Sequence, residues 1–245
     1  MQRNSSVSAE TGHPAREDVG KDKVQAAPGG ALPLRRPARG LVYDYVRQGI
    51  LHGRLAAGTF LEEEQVSAAV GVSRTPVREA FQQLQGERLL DLLPRRGAMV
   101  RLVTAQELLE VLETRLMIET HAVRTLCRGQ GPLPDGMRAA LARMQQQRDA
   151  DIPTHVQLNT AFHAALVEAA GNGVITGLYR SITFQQERVA MTAVRIGPGR
   201  RKVILLEHEQ LAAALAAHDE AAAIAVLGRH LGPVQDILAQ LPVRQ

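Results

Sequence analysis

The segment GVSRTPVREAF at residues 71–81 restricts the fold of this chain more than any other stretch of it. Gly71 stops whatever helix precedes it, because glycine enters the left-handed conformation at little cost. Ser73 is a preferred N-cap, and Pro76 falls in a first helical turn, where its missing N–H has no partner to lose. A helix therefore starts near residue 74. Val77, Ala80, Phe81 and Leu84 recur at helical spacing and mark its buried stripe. Arg74 and Arg78, one turn apart, share the opposite face near the positive end of the helix dipole.

An arginine pair at this spacing is ordinarily a solvated face, so its surroundings decide its meaning. Residues 41–52 repeat apolar side chains with a helical period (Leu41, Val42, Tyr45, Val46, Ile50, Leu51), and residues 62–70 form a second short helix with Val66, Ala69 and Val70 inside. Gly71-Val72-Ser73 is then the tight corner of a helix-turn-helix. Short apolar runs at 89–93 and 98–103 flank Pro94-Arg95-Arg96-Gly97, a hairpin with a basic tip, where Gly97 lets the backbone approach a narrow groove. Residues 39–103 thus read as a winged helix-turn-helix. Its two guanidinium forks suit the phosphate oxygens or guanine edges of double-stranded DNA.

Charge follows the same division. Residues 1–102 hold 15 lysines and arginines against 11 acids, whereas residues 103–245 hold 14 of each. All of the +4 net charge lies in the N-terminal part. Residues 1–38 are rich in Ser, Gly, Pro and charge without apolar periodicity, and are expected to be a disordered leader ending in the basic cluster Arg35, Arg36 and Arg39. No apolar run has the length of a membrane span, and Cys127 is the only cysteine, which excludes an intrachain disulfide. A cytoplasmic location is expected.

Residues 104–245 read as helical to the end. Thr104 and Glu107 form a capping box for a long helix to about residue 128. Further helices are expected at about 135–150, 153–170, 174–194, 200–217 and 219–241, the last bent near Arg229 by Pro233. The fold class is mainly α: a winged helix-turn-helix followed by an antiparallel bundle of about six helices, which the low aromatic content (3%) leaves to Leu, Val, Ile and Ala to fill.

Asn159 and His163 lie four apart on one of these helices; His208 and His230 lie on the two last. Each histidine taken singly fits a hydrogen-bonded core position equally well. Three on separate helices of one bundle, with an amide oxygen, also suit zinc, nickel or another borderline divalent ion. His155 lies near a helix start and is expected to face solvent.

The stretch from residue 41 to 103, with VSRTPVREAF at its centre, resembles the winged helix-turn-helix of the GntR family of bacterial transcription regulators. The resemblance implies DNA contacts from Arg74 and Arg78, helped by Ser73 and Thr75, with Arg96 and Gly97 reaching the minor groove. One departure stands out. Family members often carry an arginine at the start of the second helix, where this chain has Glu62-Glu63-Glu64; these carboxylates either point away or lower the affinity for phosphates.

NTAFHAALVEAAGN, LLEHEQLAAAL and HDEAAAIAVLGRHL are similar to the effector domain of the fatty-acid-regulator-like branch of that family. The resemblance implies Asn159, His163, His208 and His230 as ligands to a divalent metal ion, zinc first, with nickel or manganese as alternatives. It also implies Arg115 as the site of a small carboxylate effector, with Glu119 one turn on holding it. Asn in place of an acidic ligand keeps such a site electropositive, which favours an anion. A homodimer on a palindromic operator is expected, because one winged domain reads few base pairs. The rival class is a metal-dependent hydrolase or lyase in the bundle, but Ala212 stands where an HExxH motif needs its second histidine.

Overall fold

The computed structural model describes residues 37–94, 96–197 and 199–243. Apart from Pro37 and Ala38, the expected leader lies outside the described residues, as do Arg35, Arg36 and Arg95. The winged part runs α1 (Ala38–Leu51), β1 (Phe60–Leu61), α2 (Glu63–Val70), α3 (Arg74–Gly86), β2 (Leu90–Leu93) and β3 (Gly97–Val100). Gly71 ends α2 in the left-handed region (φ 73°), and Ser73 occupies the N-cap of α3 with extended backbone but without a side-chain capping bond. Val77, Ala80, Phe81 and Leu84 are all buried, as their period requires.

The wing is an antiparallel hairpin pairing Leu90 with Val100 and Leu93 with Gly97. β1 adds a third strand, in the order β1-β3-β2. With two residues it is too short for any periodicity to announce. It gives Gly97 a reason of its own: at φ 109° a Cβ there would collide with the carbonyl oxygen of Leu61.

The helical part comprises α4 (Ala105–Gly129), α5 (Asp135–Gln146), α6 (Ile152–Ala169), α7 (Gly173–Ser181), α8 (Thr183–Ile196), α9 (Arg200–Ala216), α10 (Glu220–His230) and α11 (Gln235–Leu238). Thr104 caps α4 by accepting from the Glu107 N–H at 3.1 Å, but the Glu107 carboxylate turns to Arg188 instead of closing the box. Two expected helices are divided. The 174–194 helix breaks at Ile182, where the Ser181 and Thr183 hydroxyls bond back to the carbonyls of Leu178 and Tyr179. The 219–241 helix ends at His230 rather than bending, because the Pro233 ring has no room against the Arg229 carbonyl; α11 follows as a separate turn.

Two main cores result. Phe162, Leu166, Tyr179, Leu211 and Leu227 centre the helical one, and Val46, Val77, Phe81, Leu84 and Leu90 the winged one. Phe184 of α8 belongs to the winged core, 4% exposed, with the Arg47 guanidinium 4.5 Å from its ring centre. Arg188, one turn later on the same face, donates to the carbonyl of Arg101 at 3.2 Å.

Candidate functional site

Ser73, Arg74, Thr75, Arg78 and Arg96 are all exposed, and Arg74, Arg78, Arg96 and Gly97 border one groove between the recognition helix and the wing. The acidic run does not point away from it. Glu64 Oε2 stands 3.0 Å from Arg74 Nη2, and Glu63 Oε2 stands 2.7 Å from Arg78 Nε. Exposed pairs of this kind contribute little to stability. Their effect is on the surface potential: both exposed guanidiniums already have a carboxylate partner.

In the helical part the three histidines converge. Nε2 of His163 lies 3.0 Å from Nε2 of His208 and 3.0 Å from Nε2 of His230. All three side chains are at least nine-tenths buried. Burial, outweighing the adjacent Glu119 charge, pushes His163 down to about 4; burial and the neighbouring histidines drive His208 well below its ordinary value, and burial lowers His230. The imidazoles are therefore neutral at pH 7. One proton on His163 Nε2 cannot serve both neighbours, so three inward nitrogens in a dry core lack enough donors among themselves. Nitrogens bound about 2.0–2.1 Å from one ion sit about 3 Å apart, so the donor set fits a divalent cation.

The outer ring nitrogens support that fit. Glu119 Oε2 stands 2.7 Å from His163 Nδ1, and Glu207 Oε2 2.9 Å from His230 Nδ1. A carboxylate hydrogen-bonded to Nδ1, as Glu207 is to His230, fixes the tautomer that leaves Nε2 as a ligand. Neither role was legible in the sequence. The geometry of α9 does aim Glu207 off the face of His208, but toward His230 on α10.

Glu119 is fully buried and does not border the neighbouring cavity. Its Oε1 accepts from Arg115 Nε at 2.8 Å and from the Tyr179 hydroxyl at 2.7 Å. Burial alone would raise its carboxyl, but the Arg115 guanidinium, then His163, hold it well below the usual carboxylate range. The Arg115–Glu119 pair is thus a core feature rather than a surface pair.

Arg115 continues into a cavity that it shares with His155, Asn159, Gln186, Arg200 and His230. Four of these residues carry a buried polar atom without a hydrogen-bond partner: Arg115 Nη2, His155 Nε2, Asn159 Oδ1 and Gln186 Nε2. His155 is 8% exposed, not solvent-facing; burial, then the Arg201 charge, hold it at about 4. Among the described residues no carboxylate borders the cavity, while two guanidiniums do. Cys127 is buried and free.

A winged recognition helix joined to a helical domain with a histidine cluster and an anion-friendly cavity defines a DNA-binding regulator with an effector domain. The comparisons agree. The bacterial regulatory proteins of the gntR family match residues 39–100, and the FCD domain matches residues 110–232. The gluconate operon transcriptional repressor of Bacillus subtilis is 27% identical over 221 residues, covering 86% of this chain and 90% of that protein. The HTH-type transcriptional repressor RspR of Escherichia coli is 26% identical over 212 residues, covering 84% and 91%. A solved Rhodococcus structure assigned to the GntR regulators superposes with a TM-score of 0.66 at 26% identity, over 82% of this chain and 96% of that one. The chain belongs to the GntR family of bacterial transcription regulators, in the group that carries an FCD domain. It is a regulator and not an enzyme, so the hydrolase or lyase alternative falls. No described helix is long and apolar enough to cross a membrane.

Proposed function

We propose that this protein is a cytoplasmic repressor that binds a palindromic operator as a homodimer and loses DNA affinity when a small carboxylate enters the cavity. The observation that carries the reading is the cavity itself, which Arg115, Asn159 and His230 of the histidine cluster line together and which, among the described residues, no carboxylate borders. The repressor names of the two curated relatives support the direction of control. On the DNA side, Arg74 and Arg78, with Ser73 and Thr75, read the major groove, and Arg96 and Gly97 reach the minor groove. The domain boundary we assign is 103/104, at the cap of α4. A dimer is supported by apolar side chains left uncovered on α4 and α7: Met117, Val174 and Leu178 are each more than half exposed.

Asn159, His163, His208 and His230 would hold the divalent ion, with zinc first and nickel or manganese as alternatives. Bound there, the ion supplies fixed positive charge beside the cavity. The residues of the chain do the rest: Arg115 binds the carboxylate, Glu119 holds Arg115, and the buried walls exclude water that would screen the pair.

Two measurements test the reading. Elemental mass spectrometry of the purified chain should find near-stoichiometric metal that His163→Ala with His208→Ala abolishes; absence of metal in the wild type after reconstitution refutes the centre. Selection of duplexes from a random pool should return a palindrome, on which Arg78→Ala weakens binding by about 1–3 kcal/mol if it reads a guanine. Equal weakening on every sequence would make Arg78 a phosphate contact instead.

A further inference from the structure

The cavity is lined mostly by hydrocarbon. Apart from Arg115, His155, Asn159, Gln186, Arg200 and His230, its wall is hydrocarbon, with Leu108 and Val111 of α4, Val189 and Ala193 of α8, Ile204 of α9 and Ile237 of α11 among it. None of these side chains can accept or donate a hydrogen bond, and the helix backbones behind them are already paired within their own ladders. Gln186, 3% exposed, lines this cavity, and its Nε2, like Nη2 of Arg115, is a buried donor without a hydrogen-bond partner. Two free N–H donors against a wall of hydrocarbon describe the ligand by its complement.

We infer that the ligand of this cavity is a monocarboxylate with an apolar body, its head shared by Arg115 and Gln186 and its body laid against α4, α8 and α11, and that polyhydroxylated acids are excluded. The inference rests on the carboxylate reading above and narrows it. It also separates this chain from its relative named for gluconate, whose name would otherwise point to a sugar acid. A hydroxyl carried into the apolar wall loses its water and gains nothing in return, a penalty that accumulates along the chain of a sugar acid. The same wall rewards every methylene that it covers.

Hexanoate and gluconate separate the alternatives cleanly, because they share carbon number and carboxylate and differ in hydroxylation. Isothermal titration of the zinc-reconstituted full chain should find hexanoate bound at least about 100-fold more tightly than gluconate. Gln186→Leu should weaken hexanoate by about tenfold while zinc content and melting temperature stay at the wild-type level, the loss expected for one hydrogen bond to a charged group. Gluconate binding as tightly as hexanoate overturns the apolar assignment and leaves the carboxylate reading in place. Binding of neither acid overturns both. Unchanged hexanoate affinity in Gln186→Leu removes Gln186 from the head-group site.

Discussion

Glu119 ties Arg115, Tyr179 and His163 together through two oxygens. One oxygen accepts from Arg115 and Tyr179, the other faces His163 Nδ1, and the whole group is without solvent contact. Removing one partner of a buried ion pair leaves the other charge uncompensated, which is far more costly than the pair's net contribution. Glu119→Gln, which keeps the shape and loses the charge, should therefore destabilise the protein by about 3–5 kcal/mol. It should also weaken zinc by about 10–100-fold, because His163 loses its orienting carboxylate. Tyr179→Phe removes only one donor to the same oxygen and should cost about 1.5–3 kcal/mol. Denaturant unfolding with competitive zinc titration checks both; equal effects of the two variants would refute the central position given to the Glu119 charge.

At the scale of elements, α2 and α3 set the character of the groove proposed to face DNA. Glu63 and Glu64 sit against Arg78 and Arg74, so a phosphate must displace a carboxylate to reach either guanidinium. That exchange penalises contacts made by charge alone and spares those in which the base edge repays the loss, which favours specific over non-specific binding. Glu64→Gln should raise affinity for random duplex and steepen the dependence of log K on log salt by about one unit, as for one added phosphate contact. Fluorescence anisotropy at several salt concentrations measures both; an unchanged slope would mean that Glu64 swings clear of the DNA. The elements themselves are legible in the sequence where their instructions are local. The cap, stripe and stop of α3 lie within residues 71–86, and Thr104 announces α4. Legibility fails where the deciding partner is distant. β1 exists only because Leu61 reaches Ala98 on β3, and Glu207 finds its role on another helix. The histidines could be nominated by helix and spacing; their Nδ1 partners and Gln186 could not, since nothing within a few turns of any of them encodes the contact.

The whole molecule connects cavity to groove through α8. Gln186 and Val189 border the cavity, whereas Phe184 and Arg188, on the other side of the same helix, engage the winged core and the Arg101 carbonyl. Arg195, two turns beyond Arg188, brings its guanidinium against Gly53 after α1. The C-terminal segment adds a second tie, since the Ala105 N–H donates to the Pro242 carbonyl at 2.9 Å just past Ile237 in the cavity wall. A ligand that moves α8 must therefore move the winged core with it, because a close-packed interface transmits a displacement instead of absorbing it. Trimming the plug without emptying its socket should loosen that transmission. Phe184→Leu retains most of the buried volume and should keep both hexanoate and operator affinity within about threefold of wild type. The coupling between them should shrink, from the 5–150-fold range usual for linked sites toward about unity. Titrating operator with and without saturating hexanoate, and hexanoate with and without operator, measures the same coupling twice, because linkage makes the two ratios equal. Full coupling in Phe184→Leu would show that the signal bypasses this contact, and the tie between Ala105 and Pro242 would then be the route to cut next.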